Sequence, residues 1–329
     1  MNGIDRIILL VLIISYSCKS PYTYYTVEGK INKYPTEGEI WLSHEHILVD
    51  FIGAMKINKD DYSQSEVINT ILPKLKELHK WGVKYFVDAT PNFLGRDPNL
   101  LKELSRLSGI QILTNTGFYG AVNNKYIPKI AFDLSAEEIA DIWIDEFENG
   151  IGDSGIKPGF IKIGVDAKDP LHPMHQKLVK AAALTHLQTG LTIASHTGKA
   201  KGLWPQLEIL KKTGVSPSAF IWVHAQNETN PKEYKKAAEE GCWISLDGMG
   251  WNTNSYNTKL QWAKENDILD KILISHDAGW FDPQKSKQEI TPYTNIFEKI
   301  IPQLKASGFT DFDFNCLLKE NPAKAFNIH

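Results

Sequence analysis

Ser43-His44-Glu45-His46-Ile47 follows directly on the apolar run Ile40-Trp41-Leu42. In an extended strand, residues two apart face the same side, so His44 and His46 project together at a strand's end while Glu45 points away. Two imidazoles side by side are the beginning of a metal ligand set, and alone a weak one. Other ligand-type residues stand at the ends of later apolar runs: His196, His224, Asp247 and Asp277, with Lys162 inside Phe160-Ile161-Lys162-Ile163. Four imidazoles and a terminal carboxylate converging on one place are what one or two divalent ions require. A lysine among them reads, from the residues alone, as a salt-bridged or a Schiff-base lysine.

Such a cluster needs a frame that gathers strand ends. Apolar runs at Ile40–His46, Lys84–Thr90, Ile110–Asn115, Phe160–Val165, Thr192–His196, Phe220–His224, Trp243–Asp247 and Ile272–Asp277 predict eight strands. Helix-like periodicity fills the gaps at Glu66–Trp81, Asp97–Ser108, Ser135–Gly150, Met174–Gly190, Trp204–Thr213 and Pro231–Glu240. Gly82, Gly109, Gly190, Gly214 and Gly241 stand where helices should stop. No glycine-rich phosphate or dinucleotide loop follows the first strand. Eight alternating strands and helices predict an α/β fold, a single (β/α)₈ TIM barrel over residues 39–329, with active residues at the C-terminal strand ends.

Composition sets the outer bounds. The chain has 329 residues, 42% hydrophobic and 23% charged, enough for a large core, and a net charge of −3 with no basic block argues against a nucleic-acid surface. Arg6 followed by the apolar run Ile7–Ile14 is too short to span a bilayer and reads as a secretory signal over residues 1–17. Ser15-Tyr16-Ser17-Cys18 resembles a loose lipoprotein cleavage box in which Cys18 carries the lipid, with residues 18–38 as tether and lead-in. This predicts an exported bacterial protein, periplasmic or anchored to the outer membrane, that meets the membrane only through its lipid. Cys242 and Cys316 make no disulfide framework and read as buried thiols.

From Tyr25-Thr26-Val27-Glu28-Gly29 to the C-terminus, short motifs recur in order: Gly95-Arg96-Asp97, Thr116-Gly117-Phe118-Tyr119, Phe160-Ile161-Lys162, Ser195-His196-Thr197, Ser275-His276-Asp277 and Glu320-Asn321-Pro322-Ala323-Lys324-Ala325-Phe326. In these motifs the chain resembles the phosphotriesterase family of the amidohydrolase superfamily. The resemblance implies a binuclear centre, zinc first, with manganese, cobalt or iron as alternatives. His44, His46 and Asp277 would hold the inner ion and His196 and His224 the outer one, with Lys162 bridging as a carbamate formed with CO₂. A hydroxide between the ions would attack the substrate, with Asp277 as general base.

The expected activity is hydrolysis of a lactone or carboxylic ester, with phosphotriester cleavage as a side activity. The alternatives are an amidase of the same superfamily, or a catalytically degenerate barrel that captures a ligand at the cell surface. Tyr119, Asp247 and Trp251 are candidate substrate contacts, and no arginine cluster points to a phosphorylated ligand. Gln226 stands where many members place an acidic residue in a proton relay, and Gly248 where they often carry arginine or histidine. His172 and His175 lie in a loop at the active end, within reach of the pocket rim. His276 should face the outer helices. The partner is a small molecule; a homodimer remains open.

Overall fold

The computed structural model describes residues 21–33, 38–251 and 255–328. Within the segment read as tether and lead-in, β1 (Tyr22–Thr26) and β2 (Gly29–Lys33) form an antiparallel hairpin. The barrel strands follow: β3 (Ile40–Glu45), β4 (Val83–Asp88), β5 (Gln111–Leu113) continuing as β6 (Asn115–Thr116), β7 (Phe160–Gly164), β8 (Ile193–His196), β9 (Phe220–Val223), β10 (Trp243–Leu246) and β11 (Ile272–Ile274). All pair in parallel, β3-β4-β5 on one side and β6 through β11 on the other. The ring closes where β3 meets the C-terminal extension of β11: the Asp277 N–H donates to the His44 carbonyl at 3.1 Å, and the His44 N–H to Ser275 Oγ at 2.9 Å. The eight-stranded (β/α) barrel expected from the sequence is the fold, its third strand in two pieces.

The helices sit where periodicity placed them, with ends set by local chemistry. Asp97 caps the helix Pro98–Ser108 by accepting from the Leu100 N–H at 3.1 Å, and Ser135 and Glu138 form a reciprocal capping box on Ala136–Asn149. The helix expected to begin at Trp204 begins a turn earlier, at Ala200, and carries Pro205 in its interior. The helix Tyr256–Glu265 and the C-terminal helical stretches 296–306 and 311–325 were not marked by periodicity. Arg96 ties the loop after β4 to the helix Ala136–Asn149 through two bonds to Glu146, at 2.6 and 2.8 Å.

Two apolar layers hold the barrel. Between strands and helices runs a continuous core that includes Leu42, Phe86, Ile161, Leu178, Leu203 and Ile274. Inside the lower half of the barrel sits a second cluster of Tyr24, Trp41, Tyr85, Phe160, Trp243 and Phe326. The hairpin supplies Tyr24 and the C-terminal segment Phe326, so both chain ends close the barrel floor. Of the two described cysteines, Cys242 is buried as expected, whereas Cys316 is only half-buried. Among the described residues, no helix is long and apolar enough to cross a membrane.

Candidate metal centre

The strand ends are shorter than the sequence suggested, and that brings the ligands together. β3 stops at Glu45, β9 at Val223 and β11 at Ile274, so His46, His224 and Asp277 lie on the turns just beyond. His224 and Asp277 take left-handed backbone, with φ of 60° and 52°. That conformation costs a non-glycine residue about 1–3 kcal/mol and persists only where the surroundings impose it. Strand alternation does not run straight into His44 either, since the register of β3 on β4 shifts between Leu42 and Glu45.

The donor atoms converge. Those of His44, His224 and Asp277 lie within 4.8 Å of one another. His46 Nε2 lies 3.1 Å from Asp277 Oδ1, and His44 Nε2 3.5 Å from the same oxygen. The His196 ring centre is 4.3 Å from that of His224 and 5.1 Å from that of Tyr119. Lys162 Nζ lies 5.8 Å from the Tyr119 ring centre. The Lys162 backbone is crowded by Gly117, where any side chain would collide with the Lys162 carbonyl. Of these groups His196, His224 and Asp277 line a cavity of about 460 Å³, together with Gln226, Asn227, Trp251, Gly248, Ser255 and Tyr256.

Electrostatics prepares the cluster for cations. Burial holds His44 and His196 well below the ordinary imidazole pKa, His224 and Lys162 adding repulsion, so both rings are neutral and their nitrogens free to ligate. Burial works the same way on His224, but the carboxylates Asp247 and Asp277 outweigh it and raise its pKa. Lys162 is pushed down to about 8, by burial first and against the pull of Asp277 and Asp247. Asp247 and Asp277 resist burial through the histidines around them and stay ionised well below the usual carboxylate range.

Divalent ions fit this donor set. His44 Nε2 is buried with no hydrogen-bond partner, a costly state unless something else satisfies it. The nitrogens on the other side of the rings are already engaged: His46 Nδ1 with Thr90 Oγ1 at 2.8 Å, and His224 Nδ1 with Asp247 Oδ1 at 2.7 Å. Metal-binding histidines are oriented in this way by their second nitrogen.

The remaining candidates divide. Tyr119 is buried against His196 and Lys162, its hydroxyl pKa pushed well up by burial. Asp247 is fully buried behind His224 and does not line the cavity. Trp251 does line it, 58% exposed, its indole N–H donating to the Asp277 carbonyl at 2.6 Å. His175 is buried away from the rim and bonds the Gly120 carbonyl at 2.9 Å. His276 faces outward, accepting from the Ile296 N–H.

Sequence reasoning missed two residues. Glu45 does point away from the site, but it is fully buried and accepts from Ser275 Oγ, the His276 N–H and His276 Nδ1 at 2.7, 3.0 and 2.7 Å. Asp88 fixes the turn carrying His46 and Thr90 by accepting from the Ile47 and Thr90 N–H groups at 3.0 and 2.9 Å. The only signal was, for Asp88, an acidic residue closing an apolar run and, for Glu45, an acid between the two histidines.

The chain is similar to known proteins over most of its length. The model of the phosphotriesterase family matches residues 24–326. An aryldialkylphosphatase of Saccharolobus solfataricus is 31% identical over 301 residues, covering 87% of this chain and 94% of that protein. A phosphotriesterase homology protein of Escherichia coli is 28% identical over 289 residues, covering 87% and 97%. A solved structure from the engineering of organophosphate hydrolysis out of a weak promiscuous lactonase template superposes with a TM-score of 0.81 at 26% identity, covering 93% of this chain and all of that one.

Proposed function

The chain belongs to the phosphotriesterase family of hydrolases, and from that premise we propose that it is an exported, metal-dependent hydrolase of a lactone or carboxylic ester. One observation carries the reading: the buried His44 Nε2, without a hydrogen bond, lies 3.5 Å from Asp277 Oδ1 within a ring of three further histidines. In this proposal His44, His46 and Asp277 hold one divalent ion and His196 and His224 a second, zinc being the first candidate. Bound there, such ions acidify a water and polarise the substrate's oxygen.

The protein's own groups do the rest. Asp277 holds its Oδ1 against His46, which leaves Oδ2 to take the proton of the attacking water. Burial draws the Lys162 pKa down to about 8, so near neutral pH far more of it is neutral amine than of an ordinary lysine. That form would attack CO₂, making an N–C bond as one C–O π bond opens onto oxygen and the nitrogen loses its proton, and the resulting carbamate would present two anionic oxygens for cations. Trp251 walls the outer side of the cavity, and Tyr119 packs behind it against His196 and Lys162. None of the described residues lining the cavity is arginine or lysine, which favours an uncharged substrate. A phosphotriester is uncharged too, and the S. solfataricus relative named for such chemistry supports it as a side activity.

Cys18 and the signal segment lie outside the described residues; the lipid anchor and the bacterial cell surface remain part of the proposal. The test is to purify the chain, measure metal per protein, and assay lactones, esters and phosphotriesters before and after chelation. Two metals per chain with lactonase or esterase turnover that chelation abolishes and zinc with bicarbonate restores is the expected result. Turnover that survives complete metal removal would overturn the reading.

A further inference from the structure

Where β9 and β10 end, a knot of polar groups lies outside the hydrolytic steps. The Gln226 side chain grips Asp247 twice: Nε2 donates to Oδ1 at 3.0 Å, and Oε1 accepts from the Asp247 N–H at 3.2 Å. Asp247 passes this constraint on. Its Oδ1 accepts from His224 Nδ1 at 2.7 Å, its Oδ2 accepts from the His224 N–H at 3.1 Å, and its Oδ2 lies 3.4 Å from His44 Nδ1. Both rings are thereby held by Nδ1, leaving Nε2 of each as the remaining ligand atom. His224 already engages both carboxylate oxygens, and a neutral amide donor on Oδ1 adds a further fixed point without supplying a competing charge.

The neighbouring glycine records the same arrangement. A carbon placed on Gly248 would come 2.6 Å from the Tyr256 hydroxyl and 2.8 Å from Gln226 Nε2. Its backbone is not left-handed, so glycine is needed there for room and not for conformation. Gln226 and Tyr256 fill the volume that a side chain at 248 would take.

We infer that Gln226 is a positioning residue of the metal centre: it locks Asp247 against His224 and His44, and it does so in space that Gly248 leaves open. The inference rests on the reading of those histidines as metal ligands. It assigns to a neutral amide, two bonds removed from any ion, control over how firmly the ions are held.

The experiment uses the full chain loaded with zinc, and follows transfer of zinc to a chromophoric chelator alongside kcat and KM on whichever ester or lactone is turned over. Gln226→Ala, and the volume-preserving Gln226→Met, should each speed zinc loss about tenfold, the lower end of the effect known for groups that orient metal ligands. kcat should fall while KM stays within about twofold. Thr229→Ala, exposed just past the same turn and outside the cavity lining, should leave zinc loss at the wild-type rate. Gly248→Ser should also speed zinc loss, and combined with Gln226→Ala its effect should be smaller than the two singles added, because the removed amide vacates the contested space. Zinc loss unchanged in folded Gln226→Met, or strict additivity with Gly248→Ser, would overturn the inference. A wild-type chain that binds no zinc would overturn the metal-centre reading itself, a separate outcome.

Discussion

At the floor of the barrel Trp41 stacks on Tyr85 at 4.0 Å, and Phe160 meets Phe326 edge-on at 5.4 Å. Two residues farther along the same strands the interior changes character: Phe160 is followed at that spacing by Lys162, and Ala194 by His196. Four residues along, Trp243 gives way to Asp247 and Leu273 to Asp277. The lower layer gains from burial, each aromatic pair adding about 0.5–1.5 kcal/mol beyond its area. The upper layer spends stability, because ionisable groups out of water cost several kcal/mol unless paired. The floor supports the mouth: strands pinned by aromatic contacts hold their polar ends in a geometry those ends would not choose.

Substitutions at the two ends should therefore fail in different ways. Asp277→Asn should lower turnover of the metal-loaded protein about 10³-fold, within the range of a lost general base, with a smaller loss of stability than at the floor, because the histidines around it favour the ionised carboxylate in the folded state. A stability loss as large as that of a floor substitution would erase the contrast. Trp41→Ala should do the reverse, costing about 3–5 kcal/mol of stability with kcat of the folded fraction unchanged; paired denaturation and single-temperature kinetics check it. Glu45→Gln lies at the boundary. Its acceptors weaken for Ser275 and His276 together, and a loss of about 1.5–3 kcal/mol is expected in denaturant titrations.

The smallest effect concerns pH. Burial raises the Asp88 pKa from 3.8 to about 6, so the folded state keeps that proton where the unfolded chain has lost it. Stability of the metal-free chain from this group is then highest below pH 4 and declines as pH rises through 6. Melting curves of Asp88→Asn against wild type over that interval should show the wild-type slope flattened in the variant. An identical slope would remove Asp88 from the account.

The contrast also explains what could be read from sequence. Strands announce themselves as apolar runs because both the floor and the helix-facing side need them, and His196, His224 and Asp277 stand out because they interrupt such runs at their ends. The same local pattern says nothing of Glu45, whose acceptors lie 230 residues away, nor of the register shift that turns His44 inward. Alternation put His224 and Asp277 on strands; the backbone instead turns left-handed at both, which only surrounding packing imposes. Gln226 looked like a missing acid in a relay, and its amide is engaged by Asp247. Tertiary partners decide all four cases.

The Glu45 bonds to Ser275 and His276 carry a consequence for biogenesis. They join the first barrel strand to the last across a separation of 230 and 231 residues, and Asp277 reaches His46 over the same span. A ribosome that has delivered the first seven strands has delivered all four histidines of the proposed ligand set but no Asp277 and no seam. Closing so long a loop is entropically slow, so a nascent or C-terminally truncated chain presents histidines without a finished cation site. On the proposed ligand set, the ion that Asp277 helps to hold is bound only once the last barrel strand is in place.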